Sequence, residues 1–278
     1  MKQELVGLFT MAAMIEARDP FTVGHAWRVS RYCRLIAENS VQSEALIAQV
    51  SIAGFLHDLG KIGISDAVLT RPEHLIESEY EIVKEHSAVG ARLLAGHPVE
   101  SLVADVIRHH HEHFDGTGYP DGLAGQNIPL AARIVGVCDA FDAMTSTRPW
   151  RKAMPLDKVL GIIEAGYGTQ FDQDFAERLV RLARGGDLSH ILGHSDLGVP
   201  IQNCPNCGPC VTVFRTHRAG DKVYCRMCAN EFEVQYPNGG TLRTVPTGGK
   251  GRPSVAVAEP DAELISRLIL DALGHLPH

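Results

Sequence analysis

Apolar positions recur at helical spacing through the first two-thirds of the chain, and the pattern changes near residue 185. Leu5, Leu8, Phe9, Ala12 and Ile15 return every three or four residues, the repeat of one helix face, while Lys2, Glu4, Glu16 and Arg18 interrupt the run. The start of the chain therefore predicts an amphipathic helix, not a signal peptide or a membrane span. Residues 45–59 are almost continuously apolar (Leu46, Ile47, Val50, Ile52, Ala53, Phe55, Leu56), which predicts a helix buried on most sides with Gly60 as its stop. Further helices are predicted over 77–95, with Ile82, His86, Val89 and Leu93 as an inward stripe, and over 101–111, 131–145 and 175–183. No strand-rich region interrupts them, so residues 1–185 predict an all-α bundle.

The next segments read differently. Residues 186–200, rich in glycine, predict a linker. Short β-prone pieces at 211–214, 222–224 and 231–234 predict a small β module over 201–236. Residues 237–253, rich in Gly, Pro and Thr, predict a flexible linker. Within 254–278, residues 254–258 predict a strand and 261–273 an amphipathic helix.

Length and composition add bounds. A chain of 278 residues suggests one large domain plus something smaller, and 45% apolar with 21% charged residues suits a globular protein with a sizeable core. The net charge of −7 argues against a nucleic-acid polymer as partner, yet permits an anionic small ligand if metal ions supply positive charge. Fourteen histidines, among them His97, His109, His110, His111 and His113, are the first hint of metal. Five of seven cysteines lie between Cys204 and Cys228 in paired spacing that suits metal, not a disulfide framework. The expected location is cytoplasmic, without membrane contact.

Several ionisable residues fall on apolar helix faces. His57 and Asp58 close the most apolar helix; alone they could be a hydrogen-bonded core pair, since burying such groups is costly unless something satisfies them. His86 sits on its stripe, His110 and His111 follow Val103, Val106 and Ile107 at helical offsets, and Asp139 lies four residues after Val135, with Asp142 one turn further on. Each alone could be structural. Together, inward-facing positions from four helices need a common partner, and a dinuclear metal centre is the simplest one. Imidazole and carboxylate donors without cysteine suit Fe, Mn, Co, Ni or Zn, and the Asp58 carboxylate can bridge two ions where a histidine cannot.

The strings His57-Asp-Leu-Gly-Lys61-Ile-Gly-Ile64 and His110-His-Glu-His-Phe-Asp-Gly-Thr-Gly-Tyr-Pro120 resemble the signature of the HD-GYP subgroup of HD phosphohydrolases. The resemblance runs from about Glu16 to Ala183 and includes Gly24-His25, Glu85-His86, the 139–145 segment, Arg148-Pro-Trp-Arg151 and Gly168-Thr-Gln-Phe-Asp172. It implies an HD-type bundle with metal ligands His25, His57, Asp58, His86, His110, His111 and Asp139, holding two divalent transition metals, Fe or Mn. His25 has no signal apart from the resemblance. Some members carry a glutamate four residues before that histidine for a third metal; Phe21 stands there in this chain, which favours a dinuclear site. The activity implied is hydrolysis of cyclic di-GMP to pGpG, with GMP as a further product, by attack on phosphorus of a hydroxide held on the metals. Catalytic roles fall to Asp58 and Lys61, with Lys61 easing departure of the leaving oxygen, and substrate contacts to Lys61, Tyr119, Arg148 and Arg151. The Gly118-Tyr119-Pro120 loop implies contact with GGDEF-domain proteins. His74, His97, His109 and His113 are expected not to be ligands, and Cys33 and Cys138 to be small core residues.

Cys204-Pro-Asn-Cys207 and Cys225-Arg-Met-Cys228 form two C-x-x-C knuckles at a spacing that fits a zinc ribbon, predicting one structural Zn on Cys204, Cys207, Cys225 and Cys228, with Cys210 outside the set. The final segment resembles the first strand and helix of a receiver domain, with Glu259 at an acidic-pocket position, and is expected to be cut short or degenerate. Two other functions remain open on sequence: a non-catalytic cyclic-dinucleotide receptor that signals through the zinc module, and a hydrolase of another cyclic dinucleotide.

Overall fold

In the computed structural model, which describes residues 2–40, 43–71, 73–148, 151–237, 240–252, 254 and 259–275, the chain opens with a succession of helices. These are α1 (Lys2–Glu16), α2 (His25–Glu38), α3 (Glu44–Leu56), the short α4 (Asp66–Leu69), α5 (Glu77–Leu93), α6 (Glu100–His109), α7 (Leu130–Thr145), α8 (Leu156–Ala165) and α9 (Gln173–Gly185). Helix α3 is the buried axis. Ser43 caps it by accepting the N–H of Leu46, and every residue from Val50 to Leu56 is buried. The stretch Glu44–Gly63 is long and apolar enough to span a membrane, with mean hydropathy 1.2, but 67% of it is buried inside the protein, as for a core helix. The helix ends at Leu56, earlier than the apolar run predicts, so His57 caps its C-terminus and Asp58 leads into a 3₁₀ turn at Leu59–Gly63.

Helix α5 departs from its predicted stripe. Ile82 and Leu93 are exposed, and the buried face consists of His86, Ser87 and Gly90. Its neighbour, the turn after Asp58, approaches so closely that a Cβ on Gly60 would lie 1.8 Å from the His86 carbonyl oxygen. A small, polar face packed backbone to backbone leaves no room for the aliphatic stripe, which turns outward. Helix α8, which our reading of the sequence did not identify, buries Val159, Leu160 and Ile163.

Residues 186–200 are packed, not a loose linker: Leu188 and Ile191 are buried in the helical core, and β1 (His194–Asp196) pairs with β2 (Val199–Pro200). Beyond them β3 (Gln202–Cys204) pairs with β4 (Gly208–Val211), and a three-stranded antiparallel sheet runs in the order β5 (Lys222–Tyr224), β6 (Asn230–Gln235), β7 (Arg243–Lys250). The strand β7 overturns the flexible linker expected at 237–253. It covers the open edge of β6, with Val245 opposite Glu233 and Pro246 opposite Phe232, an edge position where proline is tolerated. Val211, Val223, Cys225, Phe232 and Val234 make a second small core here. The strand expected at 254–258 lies mostly outside the described residues. Helix α10 (Ala262–Leu273), capped by Asp261 accepting the Leu264 N–H, returns to the main core with Ile265, Leu268, Ile269 and Ala272. It packs on α1 and α3 as part of the helical body.

Candidate metal centre

Three helix ends and two helix middles deliver the candidate ligands to one place. His25 begins α2, His57 caps α3 with Asp58 next to it, His86 lies on α5, His110 caps α6 with His111 following, and Asp139 lies on α7. Three of the imidazoles are oriented alike. Nδ1 of His57 meets the Gly54 carbonyl at 2.8 Å, that of His86 the Val83 carbonyl at 2.7 Å, and that of His110 the Ile107 carbonyl at 2.7 Å. A carbonyl can only accept, so each Nδ1 carries the proton and each Nε2 lone pair points inward, the tautomer a metal ligand requires.

The inward atoms fall into two sets. His25 Nε2 lies 3.2 Å from His57 Nε2, 3.5 Å from Asp58 Oδ2 and 3.4 Å from Asp139 Oδ1. On the other side His86 Nε2 lies 3.3 Å from His110 Nε2 and 3.6 Å from Asp58 Oδ1, and the donor atoms of His86, His110 and His111 lie within 4.8 Å of one another. Asp58 thus turns one oxygen to each set. All seven residues predicted as ligands are brought together, in an arrangement that fits two divalent cations sharing one carboxylate. Uncharged imidazoles are what such cations need, and burial, reinforced by neighbouring rings, holds His110 and His111 well below the ordinary histidine value; burial lowers His86 as well. Against burial, Lys61 and the surrounding histidines keep Asp58 ionised, well below the usual carboxylate range. Lys61 Nζ stands 2.5 Å from Asp58 Oδ2, which places its charge at the centre.

Residues outside the predicted ligand set hold the frame. Asp142, fully buried, accepts Nδ1–H of His25 at 2.8 Å and pairs with the buried Arg28 at 2.6 and 3.0 Å. Burial opposes protonation of His25, but its hydrogen bonds to Asp142 and Asp58 outweigh this and raise the ring to about 9 in the absence of cations. Glu16 accepts the N–H groups of Gly24 at 2.6 Å and Ala26 at 2.9 Å, on both sides of His25. Arg18 fastens the turn after Asp58 through the carbonyls of Lys61 and Ile64 at 3.0 and 2.6 Å. Asp142 carried a partial signal, one turn beyond Asp139 on the same buried helix.

The residues expected at the substrate are placed unequally. Tyr119 stacks on His111 with ring centroids 4.9 Å apart, and its loop is tight enough that a Cβ on Gly118 would meet the His113 nitrogen at 2.2 Å. A pocket of about 190 Å³ opens beside His110, His111 and Asp139, bounded by Arg133 and Phe171. Arg148 and Arg151 line a separate cleft of about 660 Å³ with Lys152, Phe21 and the first cysteine knuckle. The guanidinium of Arg151 is spent on the carbonyls of Ala143, Met144 and Lys152 at 2.6, 3.1 and 3.1 Å, closing the end of α7, a role different from the predicted phosphate contact. His109 and His113 stand apart from the centre, His109 against Asp121 at 2.9 Å and His113 against Thr117 at 3.1 Å. Cys33 and Cys138 are buried in the core.

The second cluster is all sulfur. The Sγ atoms of Cys204, Cys207, Cys225 and Cys228 lie within 4.8 Å of one another, and the N–H groups of Met227 and Cys228 point at Cys225 Sγ at 3.4 and 3.5 Å. Cys210 stays outside the four, its Sγ 3.4 Å from that of Cys225.

The sequence profile described as HD domain matches residues 10–175. Among curated relatives, the cyclic di-GMP phosphodiesterase response regulator RpfG of Xanthomonas campestris pv. campestris is 40% identical over 182 residues, which is 65% of this chain and 48% of that protein. A cyclic di-GMP phosphodiesterase of Thermotoga maritima is 39% identical over 171 residues, 61% of this chain and 46% of that protein. The 3'3'-cGAMP-specific phosphodiesterase 3 of Vibrio cholerae is 40% identical over 161 residues, 58% of this chain and 35% of that protein. The chain spans about half the length, or less, of these relatives. Among solved structures, a cyclic GMP-AMP specific phosphodiesterase of V. cholerae shares the fold at a TM-score of 0.51 with 20% identity, over 69% of this chain and 50% of that one.

Proposed function

The chain belongs to the HD domain family, and from that premise we propose that it is a metal-dependent phosphodiesterase that opens cyclic di-GMP to pGpG, with GMP as a further product. The observation that carries this reading is the pair of ligand sets joined by Asp58, His25/His57/Asp139 on one side and His86/His110/His111 on the other. Two divalent transition metals there, Fe or Mn, would supply Lewis-acid charge and an acidified water for in-line displacement at phosphorus. The protein's own part is to present seven donors already gathered in one place. Lys61, held at the Asp58 carboxylate, offers a cation to the leaving ribose oxygen. The pocket beside His110 and Asp139 admits the phosphodiester, and Tyr119, stacked on His111, forms one wall of the approach. Arg148 serves the dinucleotide from the larger cleft.

The four thiols suit a structural zinc, whose tetrahedral thiolate shell would organise a β module with a very small core. A GGDEF-domain partner would meet the outer edge of the 118–120 loop, where Pro120 is exposed. The receiver-like reading of the last segment has no support in the packing of α10. A cytoplasmic location goes with a cyclic-dinucleotide substrate.

A second substrate is favoured by a specific observation: relatives named as 3'3'-cGAMP-specific phosphodiesterases match at 40% and 34% identity. The test is the purified full chain, loaded with Mn(II) or Fe(II) under reducing conditions, given cyclic di-GMP and 3'3'-cGAMP in parallel. Linear product is expected from cyclic di-GMP and should vanish when His57 and Asp58 are both replaced by Ala. Preferential cleavage of 3'3'-cGAMP would transfer the assignment to that substrate. Binding without turnover would favour the receptor.

A further inference from the structure

The cysteine module lies outside residues 10–175, the part matched by the family profile, yet it rests on the point where α2 begins and His25 enters the metal centre. Two features converge there, one from the hairpin that precedes the module and one from the module itself. The His194 carbonyl on β1 accepts Nη1–H of Arg28 at 2.9 Å, and a Cβ on Gly24 would fall 2.6 Å from Ser195 Cα, so hairpin and helix start touch backbone to backbone. Gly24 takes a positive φ of 72°, which fits glycine to this join. The module itself brings a charge to the same cavity. Arg226 stands inside the second knuckle, between Cys225 and Met227, with its backbone N–H bonded to the Cys210 carbonyl at 3.2 Å. Its side chain is partly buried and lines a cavity of about 60 Å³ together with Glu16, Gly24, Trp27 and Phe55. Glu16 is the carboxylate that accepts the N–H groups on both sides of His25. Burial raises the carboxyl of Glu16, and Arg226 is among the charges that oppose this.

We propose that Arg226 is a positioning residue for the metal centre: its charge, carried by the cysteine knuckle, fixes the Glu16 carboxylate that holds the backbone around His25. The four-cysteine module is then a working support of the helical site. Charge and geometry agree on the direction. A carboxylate in a partly dry cavity needs a counter-charge, and Arg226 lines the same cavity. Groups that orient a ligand from outside the metal's own shell change its affinity by about 10–100-fold when removed. The inference rests on the metal centre of the proposed function, not on the identity of the substrate.

The experiment is a Mn(II) titration of the full chain followed by electron paramagnetic resonance. Mn(II) prefers imidazole and carboxylate donors over thiolates, so it reports the helical site. Arg226→Met keeps the apolar stem and removes the charge; Glu16→Gln keeps shape and removes the acceptor charge. Each is expected to weaken Mn(II) binding about tenfold, the double variant no more than either single, and Arg226→Lys to bind nearly as the parent. Thiol counting and circular dichroism accompany each variant to verify that module and helices are intact. Parent-like Mn(II) affinity in Arg226→Met overturns the proposal, as do additive losses in the double variant. If Arg226→Met does not fold, Arg226→Gln carries the same test with the same outcomes. Because the readout is metal affinity, a protein that hydrolyses no cyclic dinucleotide would still decide it.

Discussion

Asp142 accepts Nδ1–H of His25 at 2.8 Å while both its oxygens bind the buried Arg28. One carboxylate therefore fixes the tautomer of a candidate ligand and neutralises Arg28, the largest fully buried side chain among the described residues. Replacing Asp142 with the neutral, similarly shaped Asn leaves the buried Arg28 without its counter-charge, which costs roughly 3–5 kcal/mol. It also lets the imidazole of His25 turn, lowering metal affinity by about 10–100-fold. Urea unfolding of the metal-free Asp142→Asn variant and a Mn(II) titration check the two effects separately.

The same pair gives stability a pH dependence. Burial would raise the Asp142 carboxyl, but Arg28 and His25 prevail and hold it below the usual carboxylate range. A depressed carboxylate contributes stability above its unfolded value, about 3.9, and loses it as pH falls from there towards the folded value. The metal-free parent should therefore exceed Asp142→Asn in stability most at about pH 5–6, below the ordinary histidine value, and the difference should shrink as the pH is lowered through about 4 to 3. Denaturant midpoints of both proteins across that range are the measurement, and an unchanged gap at low pH would contradict the role given to the pair.

Asp58 turns one oxygen to each set of candidate ligands, Oδ2 at 3.4 Å from His57 and Oδ1 at 3.6 Å from His86. Asp58→Asn keeps the volume but removes the negative charge that the two proposed cations would share. Metal content per chain, measured by elemental analysis after loading, should fall from two to one or fewer, and hydrolysis should drop by at least about 100-fold. Two tightly bound ions in the variant would show that Asp58 is not the bridge.

Much of this centre was legible in the sequence. Ionisable residues on faces that otherwise bury Val and Ile are anomalous, and that anomaly marked His57, Asp58, His110, His111 and Asp139. His86 was marked for a wrong reason: the stripe through Ile82 and Leu93 lies outward, and the buried face of α5 is polar and small. His25, at a helix start behind Gly24, had no such surroundings in sequence, and only the family resemblance supplied it. Arg28 and Glu16 were not singled out because their partners are contacts across 114 positions, or backbone groups near the helix start. The linker predicted at 237–253 failed because Gly, Pro and Thr report local freedom, whereas the open edge of β6 decides the matter at long range.

The backbone contact between Gly60 and His86 makes a fourth expectation. A methyl at residue 60 would sit 1.8 Å from the His86 carbonyl oxygen and 2.5 Å from Gly90 N, both backbone atoms that no rotamer change can move. Gly60→Ala must push α5 away from the turn after Asp58, at a cost of about 1–3 kcal/mol for overpacking. The same displacement separates His86 from Asp58 and so should cost the second metal. A lowered melting temperature together with one metal per chain is the expected result; Gly63→Ala, whose methyl meets only Val89 Cγ1 at 3.4 Å, is the control and should retain both ions.

The cysteine module offers the last test, because its core is small and its ends are tied to the helical body at both sides. Leu188 and Ile191 anchor the chain before it, and Ile265, Leu268, Ile269 and Ala272 anchor it after. Cys225→Ser removes one of the four clustered thiols and with it, on the proposed structural zinc, the cross-link that would order this module. Residues 204–250 should then become accessible to protease, cut at least about tenfold faster than in the parent, while the helices resist. The two fragments should remain together under native conditions, because α10 packs on α1 and α3. Separation of the fragments on native size-exclusion after a single cut would mean that α10 does not belong to the helical core. Unchanged protease resistance would mean that the module is held by its apolar residues, Phe232 and Val234 among them, without help from the four sulfurs.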